Sequence, residues 1–223
     1  MGSKGLPGKN SKLLHGKPLI AWTIEQALAS HSLDEVIVST DSLEIAEISK
    51  AAGAKVPFIR PAHLASDECP SIDVIEHALE WMSEYEKKEF HYTALLEPTS
   101  PLREKDDIDN MLLLLDSNEK DFDGVVSLGL AHHHPSILKR LDGSAVRNFS
   151  KHLTASNRRQ DDELLFFPFG VAYILKTDSL RAERTFYAHR SLGYRLKRYQ
   201  EYEIDDVYDF MCVEKVMGYQ WNL

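Results

Sequence analysis

Cysteine is almost absent from this 223-residue chain, with only Cys69 and Cys212 present. Two thiols exclude a disulfide-stapled scaffold and a cysteine-rich zinc site, and they read as small core or surface residues of a protein kept in a reducing cytoplasm. Long apolar runs are missing as well. No stretch approaches the ~18 apolar residues of a membrane span and the N-terminus carries no apolar signal region, so no membrane partner and no export are expected. Positive charge is in deficit, 26 Lys and Arg against 35 Asp and Glu, for a net charge of −9. That sign excludes general affinity for nucleic acid, so an anionic ligand must be held by a local cationic pocket. What remains, 43% hydrophobic, 27% charged and 9% aromatic residues, is the composition of an ordinary globular protein. The length suits a single domain, residues 1–223, around one core.

Hydrophobic periodicity organises the first 130 residues. Ile20, Ile24, Ala27 and Leu28 share one face of a helix over Pro18–Ser30, and "EVIVSTD" follows as a short β-branched run of the kind that forms a buried parallel strand. "LEIAEISKAAG" is a second helix stopped at Gly53. Ile75, Leu79 and Met82 mark a third over Asp73–Met82, with Ser71 as its expected N-cap after Pro70. "HYTALLEPTSPLR" is a strand closed by two prolines, "DIDNMLLLL" a helix and "DGVVSL" a further buried strand. The alternation predicts an α/β fold, a mostly parallel sheet covered by helices, whose ligands sit beyond the carboxyl ends of the strands. "STD", "EPTSPLR" and the opening loop are expected to converge there. From His132 the texture changes to polar and aromatic segments with little helical period, which predicts an inserted arm over about 132–200 that buries itself against a second copy of the chain. A last helix over Asp206–Met217 carries Phe210, Val213 and Met217 inward.

Two stretches carry chemistry. "MGSKGLPGKN" fails the Walker pattern, with Ser3 in place of the first Gly and Asn10 in place of Ser or Thr. Gly2, Gly5 and Gly8 still let backbone N–H groups face an anion while Lys4 and Lys9 add charge; the competing reading is a solvated tail. In "YEIDDVYD", Glu203 and Asp205 lie two apart on one side of an extended segment and offer hard oxygen ligands to Mg²⁺, against the reading that Asp205 or Asp206 merely caps the following helix. Arg60, Arg103, Lys139, Arg158 and Arg159 fall near prolines or in loops, where solvation is the ordinary state. His132, His133 and His134 alternate faces in a strand, which disfavours a shared metal.

Read together, "GSKGLPGKN", "KPLIAWTI", "VIVSTDS", "GAKVPFIRPAHLASD", "SIDVI", "EPTSPLR", "HHHP", "RRQD" and "EIDD" resemble, in order and over nearly the whole chain, the acylneuraminate cytidylyltransferases, which make CMP-sialic acids and their legionaminate and pseudaminate relatives. The resemblance implies a Rossmann-like domain, a homodimer built through the arm, and attack by the anomeric hydroxyl of an acidic nonulosonic sugar on the α-phosphate of CTP with Mg²⁺. It places Lys4, Lys9 and Asn10 on the triphosphate, and Ser39, Thr40, Asp41 and Arg60 in the nucleotide pocket. Lys139, Arg159, Gln160 and Glu97 fall to the sugar, Glu203 and Asp205 to the metal, and Lys9 and Asp205 to catalysis.

Three departures stand out against that family. Its loop follows a strand and an arginine that this chain lacks, so the expectation is a first strand upstream of Met1 whose loss leaves a gap inside the sheet. Glu97 stands where Gln is common, and "FPFGVAY" replaces a commoner "NGA.Y", which fits a relative specialised for a legionaminate- or pseudaminate-type acid. The competing functions are a cytidylyltransferase for another acidic sugar such as Kdo and an inactive nucleotide-binding dimer.

Overall fold

The computed structural model describes residues 5–66, 68–149 and 164–220. Lys4, Arg158, Arg159 and Gln160 therefore lie outside the described residues. The chain enters through a 3-10 turn at Lys9–Ser11, reached by way of Gly8 at φ +69°. Two short antiparallel strands follow, β1 (Leu13–Leu14) and β2 (Lys17–Pro18), and they run straight into helix α1 (Leu19–Leu28). Ile20, Ile24 and Ala27 bury the expected face, whereas Leu28 is exposed.

"EVIVSTD" forms less strand than its composition predicts. One parallel bridge joins Ile37 to Lys55, closed by Val38 N–H on the Lys55 carbonyl and Lys55 N–H on that of Val36, each at 2.9 Å. The opposite edge of this segment borders a cleft, so no second ladder extends it. Helix α2 (Leu43–Ala51) ends before Gly53 at φ +98°, as the sequence predicts. Helix α3 (Ser71–Trp81) starts one residue earlier than a Ser71 cap requires: Pro70 holds the cap position, Ser71 is already helical, and no side chain caps the turn.

The remaining elements are β3 (Tyr92–Leu95), α4 (Asp107–Asp116), β4 (Gly124–Leu130), β5 (Lys139–Asp142), β6 (Ala145–Asn148), β7 (Phe166–Lys176), α5 (Thr177–Glu183), β8 (Ser191–Arg195) and α6 (Val207–Gln220). The main sheet has the order β3-β7-β4-β8. Strand β7 is antiparallel to both β3 and β4, and β4 is parallel to β8. The fold is α/β, but its described sheet is mixed rather than mostly parallel. An antiparallel neighbour needs no helical crossover, which is how β7 enters between β3 and β4.

Consecutive residues of β7 face opposite layers. Ile174 packs with Ile108, Met111 and Leu115 of α4, while Leu175 packs with Ile72 of α3 and Leu180 of α5. Helices therefore cover both faces of the sheet, the three-layer arrangement that buries every apolar stripe. Of the segment 132–200, Phe166–Lys176 and Ser191–Arg195 are integral to this sheet. What stands outside it among the described residues is centred on the hairpin β5–β6, all eight residues of which are exposed. Between Val126 and Leu128 the register with β4 shifts, and Phe169–Ala172 lacks a strand partner in either ladder.

Candidate functional site

A cleft of about 1580 Å³ opens between Val36–Val38 and β3. Its walls are apolar, with Ile20, Ile24, Val38, Ala94 and Ile174 among them. At one end stand Gly8, Lys9, Asn10, Ser39, Thr40, Asp41, Arg60 and Asp205. The opening loop and "STD" thus meet at one place, with Leu96 and Pro98 bringing the start of "EPTSPLR" beside them.

The opening loop has no strand ahead of it among the described residues, and it is held from the other side. Leu6, Leu14 and Leu19 pack with Leu102, Ile204, Phe210, Val213 and Met217, so α6 clamps the loop. A fully buried leucine contributes roughly 1.5–3 kcal/mol, enough for this cluster to replace a covering strand. Gly5 lies so close to the Asp205 carbonyl that a Cβ there would overlap it. The loop and residue 205 are therefore locked together by backbone contact.

Across that contact Lys9 Nζ donates to the Ile204 carbonyl at 2.8 Å and lies 3.4 Å from Asp205 Oδ1. The Lys9 side chain is mostly covered, whereas that of Asp205 is 88% exposed. Asp205 is not the helix cap. Asp206 is: its Oδ1 accepts from Tyr208 N–H at 2.7 Å and Asp209 N–H at 3.0 Å, and Asp209 Oδ2 accepts in return from Asp205 and Asp206 N–H. The capping duty falls on the neighbour and leaves the Asp205 carboxylate facing the cleft. Asn10 Oδ1 is buried there and has no hydrogen-bond partner among the described residues, an acceptor of the kind that a ligand donor completes.

The nucleotide end is built on the turn before α2. Thr40 Oγ1 accepts from Ser42 N–H, and Ser42 Oγ caps α2 by accepting from Ile45 N–H at 3.3 Å. Arg60 donates its backbone N–H to the Thr40 carbonyl at 2.8 Å, its Nε to Ser39 Oγ at 3.1 Å and its Nη2 to the Ser39 carbonyl. Burial pushes the Arg60 guanidinium pKa down, opposed by the charge of Asp41.

A second group of carboxylates sits beside the first. Glu203 Oε1 accepts from Ser100 Oγ at 2.6 Å and from Gly170 N–H. Glu97 donates its N–H to the Gly170 carbonyl at 3.0 Å, and Thr99 Oγ1 donates to its Oε2 at 3.3 Å. Burial raises the Glu97 pKa and the neighbouring Glu203 raises it further, against the pull of Thr99 and Lys9. Sequence reasoning leaves out Ser100 and Gly170 and assigns no role to Arg103. For Ser100 the signal was the pair of prolines that flank it in "EPTSPLR", which fix a loop with its hydroxyl turned into the protein.

A model of the cytidylyltransferase family matches residues 1–219. The chain belongs to that family. It is 34% identical over 209 residues to an N-acylneuraminate cytidylyltransferase of Escherichia coli O18:K1:H7, with 94% of this chain covered and 48% of that protein. It spans about half the length of the curated N-acylneuraminate cytidylyltransferases it matches. Against the CMP-N,N'-diacetyllegionaminic acid synthase of Legionella pneumophila the identity is 32% over 225 residues, covering 97% of this chain and 92% of the other. The structure of a CMP:2-keto-3-deoxy-manno-octonic acid synthetase complexed with CTP superposes with a TM-score of 0.68 at 18% identity, covering 98% of this chain and 95% of that one, which shows the fold.

In this cytidylyltransferase-family chain, then, Lys9, Asn10, Ser39, Thr40, Asp41, Arg60 and Asp205 gather at one cleft end, and Glu97 and Glu203 gather on Gly170 next to it. Lys139 stays apart, on the exposed hairpin, where it donates to Asn148 Oδ1 at 2.7 Å. His132 meets the Glu201 carboxylate at 2.7 Å, and His134 Nδ1 caps the turn at Ser136. Among the described residues no group of three or more His, Cys, Asp or Glu is clustered as a ready-made metal cage, and no helix is long and apolar enough to cross a membrane.

Proposed function

We propose that this chain transfers CMP from CTP to the anomeric hydroxyl of an acidic nonulosonic sugar and releases pyrophosphate. The observation that carries this reading is the meeting of Lys9 and Asp205, 3.4 Å apart at the end of the cleft, in a member of the cytidylyltransferase family. The sugar hydroxyl oxygen bonds to the α-phosphorus and gives up its proton to solvent, the bond from that phosphorus to the bridging oxygen breaks, and the leaving pyrophosphate takes the electron pair. Such a transfer needs positioning and charge neutralisation more than covalent help. Lys9 and the Gly5–Gly8 backbone would face the triphosphate, with Asn10 accepting from the nucleotide. The turn Ser39–Asp41, braced by Arg60, would hold the nucleoside.

The donor set suits Mg²⁺. Asp205 presents a solvent-facing carboxylate, and Glu203 has one oxygen held by Ser100 and Gly170, which orients the other. Two hard oxygens plus phosphate oxygens and waters are the ordinary shell for this ion. Bound there, it would neutralise developing phosphate charge and lower the pKa of the attacking hydroxyl.

The family relatives named for legionaminic and sialic acids support a nonulosonic substrate, and Glu97 favours a sugar that donates hydrogen bonds at that position. The exposed Leu141, Val146 and Phe149 of the hairpin region support a homodimer. Neither Ile37 nor the outer edge of β3 has a strand partner across the cleft among the described residues, which supports the expectation of a further strand seated between them.

Pyrophosphate release from CTP and Mg²⁺ across a panel of N-acetylneuraminate, legionaminate-type and pseudaminate-type acids and Kdo tests the activity. Turnover is expected with a nonulosonic acid, and the reading fails if none of them is consumed. CTP binding that raises Tm without turnover identifies a nucleotide-binding dimer instead. Melting a chain extended ahead of Met1 by its genomic residues checks the cleft: Tm rises if a strand fills it and stays put if none does.

A further inference from the structure

Arg103 is buried, 4% exposed, and among the described residues none of its hydrogen bonds goes to a carboxylate. Its Nε donates to the Val171 carbonyl at 2.6 Å and its Nη2 lies 3.4 Å from the Gly170 carbonyl. Nη1 reaches Gln26 Oε1 at 2.8 Å and Thr23 Oγ1 at 3.4 Å. A cation taken out of water and given only neutral acceptors is costly to keep. Burial does pull its pKa down to about 10, with Asp107 and Glu97 opposing, so it stays protonated at neutral pH.

The carbonyls it serves belong to the stretch Phe169–Ala172, where β7 has left both ladders. Side chains stand in for the missing strands. Ser127 Oγ lies within reach of the Phe169 and Ala172 carbonyls, its single proton serving one of them at a time, and accepts from Ala172 N–H, while Arg103 donates to the Gly170 and Val171 carbonyls. The planar guanidinium meets the two successive carbonyls from two nitrogens held in a rigid fork, a geometry that a single ammonium nitrogen does not reproduce. On its other side the Gly170 peptide donates to Glu203 Oε1, and its carbonyl receives Glu97 N–H. There is no slack, since a Cβ on Gly170 would stand 2.7 Å from the Cβ, Cδ and Oε2 of Glu97.

We propose that Arg103 is a positioning residue, which holds the Gly170–Val171 backbone so that Gly170 N–H orients the Glu203 carboxylate and fixes Glu97 beside it. The functional weight of this proposal rests on the cytidylyltransfer reading; its structural content does not.

Three variants test it: Arg103→Lys, which keeps the charge without the fork, Arg103→Met, which removes both, and Leu180→Ala, a core change in α5 whose cluster includes none of Phe169–Ala172. In both Arg103 variants the Gly170 amide resonance moves in ¹H–¹⁵N spectra and kcat per folded molecule falls about 100-fold, the cost of a misplaced group, while KM for CTP changes less than about threefold. Leu180→Ala lowers Tm and moves neither. A Gly170 resonance that stays in place in Arg103→Lys, with kcat intact, overturns the proposal, and this variant decides the matter if Arg103→Met does not fold. If the wild-type chain makes no product, the cytidylyltransfer reading has failed, and the Gly170 resonance still decides the positioning role.

Discussion

Asp205 and Asp206 carry the same side chain one position apart, and the backbone gives them opposite surroundings. Asp206 Oδ1 is occupied by two N–H groups of α6, while Asp205 faces Lys9 and solvent. Their substitutions should separate accordingly. Asp206→Ala removes a cap and is expected to cost about 1 kcal/mol of stability in urea denaturation, with turnover per folded molecule retained. Asp205→Asn should leave the urea midpoint in place and lower turnover about 100-fold in the pyrophosphate assay, because it removes charge where charge develops. The two-residue spacing of Glu203 and Asp205 was legible in the sequence, as was the pairing of Lys9 with this end of the chain through family likeness. Which aspartate caps was not, since either fits the pattern and only the path of the backbone from Ile204 into α6 separates them. Arg103 was illegible for a different reason: nothing in a single sequence distinguishes an arginine in water from one replacing a strand's hydrogen bonds.

At the scale of elements, the amphipathic helices were read well because each keeps one apolar face for more than two turns. The failures are short or irregular. Helix α5 is seven residues long, too few to show a period, and β7 hides its strand character behind Pro168 and Gly170, where side chains rather than neighbouring strands take up its hydrogen bonds. The β5–β6 hairpin is the opposite case, a well-formed element that no other described element covers. Leu141 is 74% exposed and Val146 is 66% exposed, paired across the hairpin. If a second copy covers them, Leu141→Asp with Val146→Asp should convert a dimer to a monomer in light scattering. Tm measured on the monomer should then hardly change, since neither side chain touches the core.

For the whole molecule, one carboxylate helps tie the sheet together. Asp123 receives Arg190 Nε at 2.7 Å and Nη2 at 2.9 Å, with Lys176 at 3.3 Å, which joins the start of β4 to the end of β7 and the entry to β8. The Arg190 hydrogen bonds, and after them Lys176, hold its pKa below the usual range despite burial. A depressed carboxylate pKa stabilises the fold above the unfolded-state value and loses that contribution as pH falls through the folded-state one. The Tm gap between wild type and Asp123→Asn is therefore expected to be constant above about pH 5 and to close below about pH 4, followed by calorimetry in buffers of equal ionic strength.

The bond from Lys9 to Ile204 joins positions 195 residues apart, and the one to Asp205 spans 196. The glycine-rich loop is thus synthesised 195 residues ahead of the carbonyl that its lysine binds. A nascent chain that ends at residue 200 can already own α1–α5 and the strands of its main sheet, yet it lacks α6 and Asp205 and has no place to put a nucleotide. Closing so long a loop is slow relative to local folding, so competence to bind is gained in one late step, and a chain cut ahead of Ile204 would be a folded body without a working corner.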